Sequence, residues 1–196
     1  SWGAIGARTT ESQVHRELAS GLSCPIGFKN ATNGNVQVAA DAIAAARHPH
    51  HFLSVTKQSV AAIVATKGNH DCHMILRGGS EGPNYDAESL GDASELLKQQ
   101  ELPGRIMVDC SHGNSRKNAA NQPGVAADIS DRIAAGGSPV FGVMLESNLR
   151  AGHQSVTPGV PLVYGQSITD DCMGWDDTVD VLEMLAKAVA RGKSRS

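Results

Sequence analysis

The fold is decided by the stretch RIMVDCSHGN, which occupies residues 105–114. Its apolar run is typical of a strand buried on both faces, as in a parallel sheet. A polar cluster follows at once, and open α/β sheets and α/β barrels place their chemistry at the carboxyl ends of such strands. The stretch alone leaves two interpretations open, a functional cluster or a solvated strand end at which Asp109 and Ser111 cap the next helix.

Strands and helices alternate along the rest of the chain. The other strands are predicted at residues 2–8, 24–30, 73–79 and 140–147. Helices are predicted at residues 10–21, 36–47, 86–100, 125–135 and 177–191. The first of these begins at a predicted capping box of Thr10 and Gln13. The β-rich runs 51–56 and 60–66 predict a hairpin. Alternation of strands and helices predicts a parallel sheet.

A (β/α)8 TIM barrel is favoured over a doubly wound sheet. A doubly wound sheet normally carries a glycine-rich phosphate loop after its first strand. Gly3-Ala-Ile-Gly6 lacks the third glycine and lies inside the strand. A barrel takes about 250 residues, and the five predicted strands of this 196-residue chain would supply five of its eight units, with the hairpin as an insertion.

Charge and cysteine spacing exclude several classes of protein. The formal net charge of −3 gives no basic excess, which argues against nucleic acid or an anionic membrane as a partner. No apolar run approaches the ~20 residues that span a bilayer. The four cysteines form no CxxC pair, so neither a zinc knuckle nor a disulfide framework is indicated, and free thiols are typical of a reducing cytoplasm.

Conspicuous polar residues stand at the ends of the predicted strands and in the loop before the last helix. These six residues are Arg8, Lys29, Arg77, His112, Glu146 and Asp170. Because parallel strands bring their carboxyl ends to one edge, we expect the six side chains to converge there. Two different chemistries are represented among them.

The cations Arg8, Lys29 and Arg77 predict an anion site. Arginine binds carboxylate and phosphate through two parallel hydrogen bonds, and lysine adds a point charge. Three cations at one edge of the sheet repel each other unless an anion of higher charge lies between them. This favours a phosphorylated, carboxylated small molecule as the ligand. The alternative is that each cation pairs with a nearby Asp or Glu.

His112, Glu146 and Asp170 form a mixed nitrogen and oxygen ligand set. Such a set suits a divalent metal of the Mn, Fe, Co or Zn type, which would act as a Lewis acid on a carbonyl oxygen. The other histidine cluster, residues 48–51, is interpreted as solvated loop residues at the opposite face.

Six motifs carry a resemblance to a known family. They are GARTT at 6–10, GFKN at 27–30, ILRGG at 75–79, DCSHGN at 109–114, GVMLES at 142–147 and SITD at 167–170. In this order they resemble the metal-dependent, feedback-regulated microbial synthases of 3-deoxy-D-arabino-heptulosonate 7-phosphate (DAHP). The resemblance extends through essentially the whole chain.

The resemblance implies an enzyme of aromatic amino-acid biosynthesis. Such a transferase is a (β/α)8 barrel that condenses phosphoenolpyruvate with erythrose 4-phosphate, the first step of the shikimate pathway. By position, Lys29, Arg77 and His112 would be catalytic. The residues that would bind phosphoenolpyruvate are Gly6, Ala7, Arg8, Lys29, Arg77 and His112. The metal ligands would be His112, Glu146 and Asp170.

The resemblance also implies feedback inhibition through the hairpin. Positions matching the pocket for an aromatic amino acid are Leu18, Leu22, Ser23, Phe52, Ser54 and Val64. Serine at position 54 favours phenylalanine over tyrosine as the effector. Plain packing between helix and hairpin is the alternative for the apolar members. A homo-oligomer, dimer or tetramer, is expected.

The chain departs from the family at its beginning. The family's first three barrel strands are absent, and with them a cysteine metal ligand in a Gly-Pro-Cys-Ser motif and a phosphate-binding Lys-Pro-Arg-Thr-Thr loop. Residues 1–196 are therefore expected to be the carboxyl-terminal part of a single barrel domain, with an incomplete active site. The alternatives are a related synthase that uses another aldose phosphate, such as arabinose 5-phosphate, and a truncated binding fragment without activity.

Overall fold

The computed structural model of the protein describes residues 2–193. The strands are β1 (Gly3–Ile5), β2 (Ile26–Lys29), β3 (His51–Val55), β4 (Ala61–Ala65), β5 (Cys72–Leu76), β6 (Ile106–Asp109) and β7 (Val140–Met144). The α-helices are α1 (Gln13–Ser20), α2 (Gln37–Ala46), α3 (Ala87–Gln99), α4 (Gln122–Ala135) and α5 (Trp175–Lys193). A 3₁₀ turn at Ala119–Asn121 precedes α4.

Five strands form one sheet in the order β1-β2-β5-β6-β7, and every neighbouring pair is parallel. Strands β3 and β4 form a separate antiparallel hairpin inserted between α2 and β5. The predicted parallel α/β architecture with one hairpin is therefore confirmed. In the described residues, no helix has both the length and the apolar character to cross a membrane, and the four cysteines are free.

Side chains of the sheet alternate between two faces, because successive residues of a strand point to opposite sides. Cys72, Met74 and Leu76 of β5 belong to the hydrophobic core, which also includes residues of α2, α3 and α4. The intervening positions point away from those helices. On this opposite face, Arg77 lies just beyond β5, and Lys29 and Asp109 are the last residues of β2 and β6.

The predicted capping box of Thr10 and Gln13 is wrong. Helix α1 begins at Gln13 after Ser12, and Ser12 makes no side-chain capping bond. The Thr10 hydroxyl donates instead to the Lys29 carbonyl oxygen at 2.7 Å and lies 3.1 Å from that of Gly6. Because its hydroxyl bonds across to the end of β2, Thr10 fixes the loop after β1 rather than the helix.

Most boundaries lie within two residues of the predictions, and five differ by three residues. Two of these five differences have a clear local cause. β1 ends at Ile5 rather than at residue 8, because the Gly6 carbonyl accepts the Thr9 and Thr10 N–H groups in a turn. α4 begins at Gln122, three residues before the predicted start, with a proline in its first turn. Proline is suited to that position since its missing N–H needs no partner there.

Candidate active site

A cavity of about 620 Å³ lies at the carboxyl ends of the parallel strands. We call it the strand-end cavity. The structure brings every residue that was predicted to bind substrate or metal to its wall, namely Gly6, Ala7, Arg8, Lys29, Arg77, His112, Glu146 and Asp170. Lys117, which the sequence analysis did not single out, also lines it. The predicted convergence of the strand ends is thus present in the fold.

Arg8, Lys29 and Arg77, the anion half of the cavity, differ in their partners. Lys29 forms an ion pair with Asp109 at 2.7 Å. Within residues 2–193, no carboxylate lies within ion-pair distance of Arg8 or Arg77. The alternative of local pairing therefore holds for Lys29 only, and two arginines face the cavity with their charge uncompensated by a direct partner.

Arg77 is largely buried, with 8% of its surface exposed. Burial lowers the pKa of its guanidinium, the charge of Asp109 opposes that effect, and the nearby charge of Arg8 lowers the pKa further. Arginine stays protonated in proteins all the same. Two neighbouring guanidinium groups, one of them desolvated, are stabilised by a bound anion that accepts hydrogen bonds from both.

Buried asparagines fix the strand ends that carry these cations. The Asn30 side-chain oxygen accepts the Arg77 backbone N–H at 2.8 Å. The Asn114 side-chain amide donates to the carbonyl oxygens of Leu76, at 3.1 Å, and Asp109, at 2.9 Å. These bonds join neighbouring loops, so the cations are held on a rigid frame. The sequence signal was the Asn that closes each of the motifs GFKN and DCSHGN.

The metal half of the cavity consists of His112, Glu146 and Asp170. Each offers one ligand atom, and these atoms lie within 4.8 Å of one another. It is the one group of three or more His, Cys, Asp or Glu side chains with such geometry in the described part of the chain. His50 is not in such a group, and its Nε2 lies 2.8 Å from the Ala45 carbonyl oxygen.

Hydrogen bonds determine which His112 nitrogen faces the metal half. The Ser111 hydroxyl donates to Asp109 Oδ1 at 2.7 Å. His112 Nδ1 lies 2.9 Å from Asp109 Oδ2 and 2.6 Å from the Ser111 hydroxyl oxygen. Both atoms around Nδ1 act as acceptors, so Nδ1 carries a proton. In the neutral ring, the lone pair of Nε2 then faces Glu146 Oε1 at 3.4 Å.

That arrangement suits a cation. Burial raises the pKa of the Glu146 carboxyl, His112 opposes the shift, and the charges of Asp170 and Asp109 add to it. A nitrogen lone pair and two carboxylates that face one another repel unless a positive charge lies between them. Hydrated metals of the Mn, Fe, Co or Zn type accept such a donor set. The residues present therefore fit a divalent metal.

Asp109 is the main site residue that sequence reasoning missed, since it was named only within the polar cluster and as a possible helix cap, with no role of its own. Its side chain is fully buried and contacts both Lys29 and His112. Burial opposes its ionisation, but the hydrogen bond from His112 and the charge of Lys29 outweigh that effect and hold the pKa of the carboxyl well below its usual range. A charged carboxylate thus lies between the two halves of the cavity.

The predicted effector residues lie on and near the hairpin. Phe52 pairs with Val64, and Ser54 pairs with Ala62, so these side chains share one half-buried face. Leu18 and Leu22 are 53% and 38% exposed, and Ser23 is exposed. The end of α1 contacts the hairpin base through a 2.7 Å hydrogen bond between the Ser20 and Thr66 hydroxyls. The effector role stays a prediction.

Comparisons with known proteins agree on one family. The model of the DAHP synthetase I family matches residues 1–183. The Phe-sensitive phospho-2-dehydro-3-deoxyheptonate aldolase of Escherichia coli K12 is 59% identical over 189 residues, covering 96% of this chain and 54% of that protein. A tyrosine-inhibited aldolase of Schizosaccharomyces pombe is 56% identical over 193 residues, covering 96% of this chain and 52% of that protein.

A solved structure shows the same fold. The phospho-2-dehydro-3-deoxyheptonate aldolase of Francisella tularensis superposes with a TM-score of 0.92 at 57% identity, and the match covers 97% of this chain and 55% of that one. The chain therefore spans about half the length of the relatives it matches.

Proposed function

The chain belongs to the DAHP synthetase I family, and we propose that the protein it forms condenses phosphoenolpyruvate with erythrose 4-phosphate to give DAHP and phosphate. The observation that supports the proposal is that the anion half and the metal half line the same cavity. Two arginines without carboxylate partners lie beside a His, Glu and Asp cluster that fits a metal. A phosphorylated enol acid and an aldehyde need those two kinds of group.

Phosphoenolpyruvate would bind in the anion half. It carries a phosphate and a carboxylate, which match the guanidinium groups of Arg8 and Arg77 and the ammonium of Lys29. Gly6 and Ala7 lie in the turn beside them on the cavity wall. Holding both anionic groups fixes the enol carbon in one orientation, which lowers the entropy cost of the reaction.

The metal would be held by His112 Nε2 and the carboxylates of Glu146 and Asp170. When bound, a divalent ion of the Mn, Fe, Co or Zn type supplies Lewis acidity toward the aldehyde oxygen. In the reaction the enol carbon bonds to the aldehyde carbon, water adds at the phosphate-bearing carbon, and phosphate leaves. The positive charge of Lys29, Arg8 and Arg77 stabilises the phosphate as it departs.

We place residues 1–196 in the carboxyl-terminal part of a single (β/α)8 barrel. Five adjacent parallel strands, with helices on one face, support this placement. Among the described residues β1 and β7 each pair on one side only, as expected where further strands complete a barrel. By resemblance, those strands would bring the cysteine ligand and the Lys-Pro-Arg-Thr-Thr loop that complete the active site.

Feedback by an aromatic amino acid belongs to the same proposal. Relatives are named Phe-sensitive, tyrosine-inhibited and Trp-sensitive, so the effector differs within the family. Ser54, on the half-buried face of the hairpin, favours phenylalanine in this chain. The proposal also includes a homodimer or homotetramer. It further includes a reducing cytoplasm, which the four free thiols support.

The test is an assay of the full-length protein that carries this chain. We expect metal-dependent consumption of phosphoenolpyruvate with erythrose 4-phosphate and none with arabinose 5-phosphate. Arg77→Ala should lower kcat/KM by about 10- to 150-fold, as expected for the loss of a charged contact. Arg132→Ala, which removes an arginine paired with Asp128 on α4, is the matched control. Equal activity of the Arg77→Ala protein and the control would exclude the proposed site.

A binding fragment without catalytic activity is the second candidate function, and it applies only to residues 1–196 by themselves. Calorimetry with phenylalanine and with phosphoenolpyruvate separates the two functions. Binding of either compound to residues 1–196 without turnover would support the second candidate for this chain.

A further inference from the structure

We propose that Asp109 is a positioning residue that orients His112 for the metal and Lys29 for the anion, and thereby joins the two halves of the strand-end cavity. The inference rests on the proposed function, because it assigns Asp109 a role toward the metal and anion proposed there. Asp109 stands at the end of β6, on the face of the sheet opposite the helices, and its side chain is completely buried.

All the hydrogen-bonding capacity of Asp109 is occupied. Oδ2 accepts from Lys29 Nζ at 2.7 Å and from His112 Nδ1 at 2.9 Å. Oδ1 accepts from the Ser111 backbone N–H at 3.0 Å and from the Ser111 hydroxyl at 2.7 Å. A carboxylate has about four acceptor sites. None is left for a metal or a substrate, so Asp109 acts through its neighbours.

The first neighbour is the proposed metal ligand His112. With Nδ1 donating to Asp109, the ring is fixed in the tautomer that presents the Nε2 lone pair to Glu146 and Asp170. His112 also has a backbone φ of 55°, in the left-handed region that non-glycine residues seldom adopt. A hydrogen bond at the far nitrogen is the usual means of orienting a metal-binding histidine, and its loss typically costs 10–100-fold in metal affinity.

The second neighbour is the proposed anion ligand Lys29. One of the three ammonium N–H groups donates to Asp109, which leaves two for a ligand in the cavity. The lysine is thereby held in one orientation at a site where its side chain is only 12% exposed. A single carboxylate therefore fixes one group from each half of the cavity, although Lys29 lies 80 residues before Asp109 in the sequence.

The test measures the two binding events separately in the full-length protein that carries this chain. Calorimetry gives the Kd for Co²⁺ without phosphoenolpyruvate, and the Kd for phosphoenolpyruvate in EDTA. For Asp109→Asn we expect a Kd for Co²⁺ that is 10–100-fold higher and a Kd for phosphoenolpyruvate that is at least about 10-fold higher. The amide group keeps the size of the carboxylate, but its NH₂ must face a donor whichever way it lies.

Two further variants separate this role from general damage. Glu146→Gln should weaken Co²⁺ binding and leave phosphoenolpyruvate binding in EDTA within threefold. Ser111→Ala keeps the contact between Asp109 and Nδ1 and should change Co²⁺ binding far less than Asp109→Asn. If Asp109→Asn alters neither Kd, or only one of them, the joining role is wrong. If Ser111→Ala is the variant that abolishes Co²⁺ binding, Ser111 is the orienting group instead.

A measurement on the unaltered protein applies even where Asp109→Asn fails to fold. The ¹⁵N shifts of the His112 ring, in the metal-free protein at a pH where the ring is neutral, report its tautomer. We expect the proton on Nδ1, and a proton on Nε2 would overturn the proposal. Since neither binding nor the tautomer requires turnover, absence of DAHP formation would contradict the proposed function and leave this inference standing.

Discussion

Lys29 and Asp109 form an ion pair that bridges two strands on either side of a third. Their charged atoms are 2.7 Å apart, although β5 lies between β2 and β6 in the sheet. Neighbouring strands are about 4.8 Å apart, so the two backbones are separated by roughly 10 Å, a span that the lysine and aspartate side chains bridge together. The pair therefore crosses the face that forms the floor of the cavity and fixes both strand ends.

Removing one member of this pair should destabilise the fold. Lys29→Met leaves the Asp109 charge buried without its cation, and we expect a loss of about 3–5 kcal/mol in the free energy of unfolding. Urea denaturation of the full-length protein measures it. Lys98→Met is the control, since Lys98 lies 3.7 Å from Glu95 and is 80% exposed, so its loss should cost under about 1 kcal/mol. Equal costs for the two variants would contradict the assignment of a buried pair.

The parallel sheet and the polar residues at its strand ends could be predicted because both depend on local patterns. Apolar runs indicated the strands, and parallel strands necessarily bring their ends to one edge. Asp109 was not predicted as a site residue because its local sequence suits a helix cap equally well, and its partner Lys29 is 80 residues away. The capping role predicted for Thr10 was wrong for the same reason, since its hydroxyl bonds to the carbonyl oxygen of Lys29 rather than to its own helix. Local patterns did not indicate these two hydrogen bonds, because each joins groups that are distant in sequence.

Gly78 should tolerate no side chain. Its φ is +75°, and a Cβ there would lie 2.6 Å from the backbone atoms of Gly113 and Asn114. Gly78→Ala should therefore lower the free energy of unfolding by at least about 1–3 kcal/mol, through strain in the left-handed region and displacement of the loop that holds His112. Thermal denaturation gives the change in Tm.

Gly91→Ala is the matched control for Gly78→Ala. Gly91 lies inside α3, and a Cβ there would meet nothing within 4 Å. Alanine in a helix interior is favoured over glycine by about 0.5–1 kcal/mol, so this variant should be slightly more stable than the parent. A stable Gly78→Ala protein would show that the loops carrying Arg77 and His112 are not held in close contact.

The stability of α3 should depend on pH through Asp86. This residue caps the helix, and its carboxylate accepts from the Ser89 N–H at 2.9 Å and from the Ser89 hydroxyl at 2.7 Å. The Ser89 backbone N–H, followed by its hydroxyl, lowers the pKa of Asp86. A lowered pKa in the folded state means that the stabilisation is fully present above the unfolded pKa of about 3.9 and is lost as the pH falls through the folded value.

Urea denaturation of Asp86→Asn at pH 7 and at pH 3 tests this dependence. Asparagine remains a good N-cap but lacks the carboxylate charge. The variant should therefore be slightly less stable than the parent at pH 7, and the difference should shrink at pH 3 as Asp86 becomes neutral. Asp86→Ala should cost about 0.5–2 kcal/mol at pH 7. Asp92→Asn, exposed on the same helix, is the control for charge alone. A difference between Asp86→Asn and the parent that grows toward low pH would contradict the sign of the shift.

Arg77→Lys should show whether the anion half needs the shape of arginine as well as its charge. Lysine keeps the positive charge but cannot offer two parallel N–H groups, so a bound phosphate or carboxylate loses one charged hydrogen bond. We expect the KM for phosphoenolpyruvate to rise by about 10-fold or more, from a loss of roughly 1.5–3 kcal/mol, with a smaller change in the KM for erythrose 4-phosphate. Arg132→Lys on α4 controls for the substitution itself, because its partner Asp128 lies in the same helix. A KM for phosphoenolpyruvate equal to that of the control would mean that Arg77 supplies only a general positive field, and the two-arginine interpretation of the anion half would be wrong.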